Sequence, residues 1–132
     1  MQPPSDPSQC VLDASALLVL ITGEAGADAV QQLLPQAVIS AVNYAEVVRR
    51  LKRSGMPFET ITSVLSPLLL RSPVPFDETQ AEQTARIQHQ AQERALSFGD
   101  AACLALALSL KAPAVTTEAG WEDLGVQIIR VE

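Results

Sequence analysis

Apolar residues along this chain come in short bursts separated by polar breaks, and the spacing within each burst distinguishes strand from helix. Gln9 to Asp13, centred on Cys10, Val11 and Leu12, predicts a short buried strand. Ala14 to Ile21 is a helical run, ended by the break Thr22-Gly23-Glu24. A second helix is predicted from Ala27 to Leu34, stopped by Pro35, and Ala37 to Ser40 supplies another strand. A third helix follows, for which Asn43 is the predicted cap. In it Tyr44, Val47, Val48 and Leu51 recur at i, i+3, i+4 and i+7. That stripe faces the core, so Glu46, Arg49, Arg50 and Arg53 share the opposite face, and Gly55 ends the helix.

Phe58 to Leu70 is helical but interrupted by Pro67, and its aliphatic residues Ile61, Val64, Leu65, Leu68 and Leu69 serve either as core or as a partner surface. Ser72 to Phe76 reads as a strand at a sheet edge, because Pro73 and Pro75 cannot donate to a hydrogen-bond ladder. A glutamine-rich helix spans Glu78 to Ala95, with His89 facing solvent. Phe98 to Lys111 is apolar nearly all round and is the predicted central buried helix. Beyond Pro113 come a strand over Ala114 to Thr117, a short helix over Gly120 to Leu124 and a last strand over Val126 to Val131. Strands alternating with helices predict an α/β fold, a three-layer α/β/α domain with a mainly parallel central sheet. The proline-rich stretch 1–8 is expected to be a flexible N-terminal tail, and 9–132 a single domain.

Composition supports that picture: 132 residues with 48% hydrophobic content suffice for one proper core. No stretch reaches the roughly 20 apolar residues of a membrane helix, and the start lacks the pattern of a signal peptide, so a cytoplasmic protein is expected. Cys10 and Cys103 form neither a disulfide framework nor a zinc spacing and read as small buried core residues. The net charge of −6 excludes a protein that grips nucleic acid simply by being basic. Four of the nine Lys and Arg residues nevertheless fall together in Arg49-Arg50-Leu51-Lys52-Arg53. That run is either an anion-binding surface or a solvated helix face.

Asp13, Glu46, Asp100 and Glu118 all sit at the ends of apolar segments. Such ends can converge at one edge of a parallel sheet, where carboxylates can hold a divalent metal. Two like charges about 4 Å apart repel by roughly 4 kcal/mol at an effective dielectric near 20, and a cation relieves that cost. Each acid also has a structural explanation. Ser97-Phe98-Gly99-Asp100 has the spacing of a helix capping box. Glu46 can pair with Arg49 or Arg50 one turn on, and Glu118 can open the short helix before Trp121. Asp13 is hardest to explain this way, since at the end of a buried strand it needs a hydrogen-bond partner or a cation. Ser15 is available to cap the helix that follows.

Three segments taken together resemble the PIN-domain nucleases, most closely the VapC-type toxins of toxin–antitoxin pairs. They are Val11-Leu12-Asp13-Ala14-Ser15-Ala16-Leu17-Leu18, Ile39-Ser40-Ala41-Val42-Asn43-Tyr44-Ala45-Glu46-Val47 and Leu96-Ser97-Phe98-Gly99-Asp100-Ala101. The resemblance spans essentially residues 10 to 132 and implies that Asp13, Glu46 and Asp100 bind Mg²⁺ or Mn²⁺, directly or through water. It implies an endoribonuclease in which a metal-activated water attacks RNA phosphodiester bonds. It also implies a small antitoxin that covers the site and a homodimer formed through helical surfaces. The fourth motif departs from the family's Thr-x-Asp: here it is Thr116-Thr117-Glu118, with a longer acid, which ranks Glu118 below the other three. Ser15 and Thr116 match positions that support the acidic cluster or the substrate by hydrogen bonding, and Arg49, Arg50 and Arg53 are candidates for phosphate contacts. A PIN-domain nuclease outside a toxin system, acting in RNA processing or on structured DNA, and a noncatalytic PIN-like binding module are the alternatives.

Overall fold

The computed structural model describes residues 9–132, so the tail expected over 1–8 lies outside the described residues. Four short strands, β1 (Cys10–Leu12), β2 (Ala37–Ile39), β3 (Ala114–Thr116) and β4 (Ile128–Arg130), form one sheet in the order β2-β1-β3-β4. Every pairing is parallel, with Val11 opposite Val38 on one side and Ala114 on the other. Six α-helices accompany them among the described residues: α1 (Ala14–Thr22), α2 (Ala27–Leu33), α3 (Ala41–Arg53), α4 (Phe58–Leu68), α5 (Glu78–Gln90) and α6 (Phe98–Leu110).

Side chains alternate across a strand, so each strand feeds two cores. Cys10, Leu12, Ala37, Ile39 and Val115 pack with Leu17 of α1, Val30 of α2, Val47 and Leu51 of α3, and Ile61 and Leu65 of α4. Val11, Val38 and Ala114 pack on the other face with Ile87 of α5, Trp121 and the run from Ala101 to Ala107 in α6. The expected three-layer architecture is thus present, with α6 as its buried central helix. Ile61 and Leu65 of α4 are core residues, while Val64, Leu68 and Leu69 are half-buried. Both cysteines are buried and free, and His89 is exposed, as expected.

Several local expectations fail for identifiable reasons. Asn43 does not cap α3. The chain leaves β2 in extended conformation at Ser40, whose Oγ accepts the Val42 N–H at 3.1 Å, so the cap falls three residues earlier and Asn43 lies inside the first turn, buried. The edge strand over Ser72 to Phe76 shrinks to one bridge between Val74 and Ser40, because the prolines on either side of Val74 have no N–H to extend it. α5 stops at Gln90, followed by a 3₁₀ turn over Gln92–Arg94 and by Ala95 in the left-handed region at φ 55°. No helix forms over Gly120 to Leu124: φ is positive at Gly120 (92°) and Asp123 (65°), which a right-handed helix does not accommodate. The last strand is paired only over Ile128–Arg130. Pro67 lies in the final turn of α4, and the helix ends at the next residue.

Candidate metal centre

In the order β2-β1-β3-β4, chain direction reverses its sideways progress between β1 and β3, so the C-terminal ends of these two neighbours open onto a crevice. Asp13 follows β1 there and is 2% exposed. It caps α1, its Oδ1 accepting the Ala16 N–H at 2.8 Å and the Ser15 hydroxyl at 2.7 Å. Its Oδ2 accepts the hydroxyl of Thr116, the last residue of β3, at 2.6 Å. Ser15 therefore braces Asp13 rather than capping the helix itself. Backbone N–H groups of Thr117 and Glu118 donate to the Ser15 and Thr116 oxygens, both at 3.0 Å, so each hydroxyl proton is left to point at Asp13. The loop after β3 and the acid after β1 are thereby locked together.

Asp100 is carried by α6 and forms the expected capping box: its N–H donates to Ser97 Oγ at 3.0 Å and its Oδ2 accepts the Ser97 N–H at 3.1 Å. The cap does not remove it from the crevice. One carboxylate oxygen each from Asp13, Asp100 and Glu118 lies within 4.8 Å of the others. Burial raises the Asp13 carboxyl above the ordinary range, Asp100 adds to the rise, and the hydrogen bonds from Thr116, Ser15 and Ala16 counter it. Glu118 is pushed from 4.5 up to about 7, by desolvation first and then by the charges of Asp100 and Asp13, with the Trp121 side chain offsetting part. Beneath them the buried Cys103 thiol is pushed well above its usual value by burial, and then by the charges of Asp13, Asp100, Glu46 and Glu118. All four acids thus converge on one end of α6.

Glu46 stands beside the group of three rather than in it. It is not on a solvated face with the arginines, and the expected pairing with Arg49 or Arg50 is absent: among the described residues the one ion pair joins Arg130 and Glu132. Its Oε1 instead accepts the Asn43 amide at 3.0 Å, and the same amide nitrogen donates to the Gly99 carbonyl at 3.1 Å. Asn43 is 1% exposed, and both of its acceptors demand an N–H, which fixes the amide orientation. The carboxylate of Glu46 lies directly over Gly99, where a Cβ would stand 2.7 Å from Cδ. Only glycine lets α3 and α6 meet this closely. Asn43 and Gly99 are the positioning residues that sequence reading missed. Their signal was present: Asn43 is one helical turn before Glu46, and Gly99 directly precedes Asp100.

Asp100 and Glu118 also line an open cleft of about 410 Å³, together with Arg94, Leu96 and Trp121. Arg49, Arg50 and Arg53 are exposed on α3 and are not part of that lining.

A parallel α/β sheet with carboxylates gathered at the C-terminal ends of its two central strands defines a class of acidic-site α/β proteins. The family described as the PIN domain matches residues 10–126, and the chain belongs to that family. No curated protein matches it in sequence. Solved structures with the same fold include DNA-bound VapBC from Salmonella typhimurium (16% identity, TM-score 0.73, covering 92% of this chain and 97% of that one). VapBC-5 from Mycobacterium tuberculosis is similar at 24% identity and TM-score 0.66, covering 95% of this chain and 100% of its own. VapC20 of the same organism, described as a toxin that cleaves the sarcin-ricin loop, is similar at 17% identity and TM-score 0.65, covering 86% and 92%.

Proposed function

We propose that this protein is a divalent-metal-dependent endoribonuclease, the toxin of a toxin–antitoxin pair that acts in the cytoplasm. The observation that carries the reading is the convergence of Asp13, Asp100 and Glu118 within 4.8 Å at the sheet's C-terminal edge. The donor set is all carboxylate oxygen, which suits a hard cation such as Mg²⁺ or Mn²⁺. The raised Asp13 and Glu118 carboxyls fit the same site, since desolvated acids that repel one another gain most from a cation between them. Asp13, Asp100 and Glu118 would hold the ion, with Glu46 acting from beside them through water. A bound ion supplies Lewis-acid charge at the scissile phosphate and acidifies a water.

The chain's own residues do the rest. Ser15 and Thr116 keep the Asp13 carboxylate turned toward the crevice, the capping box fixes Asp100, and Asn43 holds Glu46 against Gly99. The longer acid at Glu118 lends some weight to the noncatalytic alternative, and its place beside Asp13 and Asp100 counts against that alternative. Structural neighbours described as DNA-bound VapBC and as a member of the VapBC family of toxin–antitoxin systems support an antitoxin partner. A homodimer through helical surfaces remains part of the proposal. VapC20, described as cleaving the sarcin-ricin loop, supports RNA as the substrate class. The test is cleavage of a mixed RNA pool by purified protein with and without Mg²⁺ or Mn²⁺, alongside Asp13→Asn. Metal-dependent cutting that the variant loses is the expected result, and equal cutting by both proteins would sink the reading.

A further inference from the structure

The cleft beside the acids contains a cation that the basic run on α3 does not supply. Arg94, in the 3₁₀ turn between α5 and α6, lines it together with Asp100, Glu118 and Trp121. Its Nη1 donates to the carbonyls of Gly120 and Glu122, which ties the guanidinium to the loop after β3. Among the described residues no carboxylate lies within ion-pairing distance of it, and Nε and Nη2 have no protein acceptor. The turn that presents it is held in an unusual shape: Ala95, the next residue, is left-handed at φ 55° without being glycine. Such conformations persist where the surrounding structure fixes them and cluster at binding sites.

We propose that Arg94 binds a phosphate of the RNA strand next to the scissile one. The inference rests on the metal-dependent ribonuclease reading above and adds where the strand runs. The free Nε and Nη2 side of a guanidinium matches two phosphate oxygens in one plane, a fit that an ammonium cannot copy. The cleft, about 410 Å³, falls within the range of about 300–1,000 Å³ that ligand sites occupy. Its acids repel a free anion such as inorganic phosphate. The favoured occupant is a phosphodiester chain whose adjoining phosphate is drawn to the cation held by Asp13, Asp100 and Glu118. The strand then passes from the acid cluster toward the turn over Gln92–Arg94, away from Arg49, Arg50 and Arg53.

Cleavage kinetics on a fluorescein-labelled single-stranded RNA, run over a KCl series for wild type, Arg94→Gln and Arg94→Lys, test this. Arg94→Gln keeps a donor for the loop carbonyls and loses the charge, so KM should rise about tenfold with kcat within about threefold. The slope of log(kcat/KM) against log salt should become shallower by about 0.7, the share of one phosphate on a single strand. Arg94→Lys should keep the slope and recover part of the KM. The metal concentration for half-maximal rate should not move. Wild-type KM and slope in Arg94→Gln, or equal losses with an unchanged slope in both variants, would show that Arg94 only clamps the loop and overturn the inference. If wild type fails to cut RNA with either metal, the ribonuclease reading falls by itself. Anisotropy of the same labelled RNA over the same salt series then decides Arg94 separately, an unchanged slope in Arg94→Gln again counting against it.

Discussion

At the β1–β3 edge Asp13 is gripped by three donors from two strands' ends, whereas at the α3–α6 seam Glu46 is held by a single amide and pressed against a glycine. The first arrangement immobilises a buried charge with hydroxyls and backbone N–H groups, and leaves it with a raised carboxyl that is in tension with Asp100. The second places an acid by steric closeness. A hydrogen-bonded acid survives small shifts of its neighbours, because several donors must fail together. An acid placed by closeness does not, since one methyl group displaces it. The two regions should therefore fail differently when disturbed.

The largest effect is expected at the braced acid. Asp13→Asn should lower RNA cleavage by at least about 10²-fold, the scale on which one preorganised electrostatic group acts. Its metal-free melting temperature should change little, because removing a buried charge near Asp100 offsets the loss of one of the two acceptor oxygens that Ser15, Ala16 and Thr116 use. Calorimetric melting beside a cleavage assay checks both. A matching collapse of stability would mean that Asp13 is there chiefly to cap α1.

Gly99→Ala disturbs the seam between α3 and α6. The new methyl group meets the Glu46 carboxylate, so the side chain must swing out. Activity should drop by about tenfold to 10²-fold, with a folding cost of about 1–3 kcal/mol from overpacking. Combining it with Glu46→Gln should cost little more than either alone, as expected of residues acting through one group. Fully additive losses would separate Gly99 from Glu46.

Glu118 supplies a pH signature. Its carboxyl titrates near 7 in the metal-free fold against about 4.5 unfolded, so its ionisation disfavours the folded state. Stability of the metal-free protein that is present below about pH 4.5 should be lost as pH rises through about 7, and Asp13 adds in the same direction. A cation reverses the penalty, so the rise in melting temperature caused by Mn²⁺ should grow from pH 5.5 to pH 8. Glu118→Gln should flatten that growth while impairing cleavage less than Asp13→Asn. A metal-induced shift that ignores pH in wild type would remove Glu118 from the ion's surroundings. The smallest effect is expected on the exposed face of α3, where Arg49→Ala with Arg53→Ala should weaken RNA binding by less than about threefold. A loss as large as that of Arg94→Gln would bring the strand back across α3.

The layered fold was legible because it rests on period and punctuation. Strands of three residues bounded by Gly, Pro and capping residues, and a helix as uniformly apolar as α6, leave few alternatives. The acids were legible as a set for the same reason, since each ends an apolar segment. Their ranking was not. Whether Glu46 or Glu118 stands nearest Asp13 depends on how closely α3 approaches α6, and that is decided by a missing side chain at Gly99, which no periodicity displays. A polar residue near a helix start suits a cap, so the sequence alone points to Asn43. The cap belongs to Ser40, where the strand ends, and that boundary is set by pairing with β1. Nothing in the sequence singles out Arg94, because the turn that presents it rests on a left-handed alanine in an otherwise continuous helical pattern.

Three carboxylates brought this close together should take up one divalent cation. Calorimetric titration of Mn²⁺ into metal-free protein at pH 7.5, repeated with Asp13→Asn, tests it most directly. Wild type should bind saturably with release of protons, because Glu118 is part protonated near its pKa of about 7, and the variant should lose that binding. Equal Mn²⁺ affinity in both proteins, or no binding by the folded wild type, would contradict it.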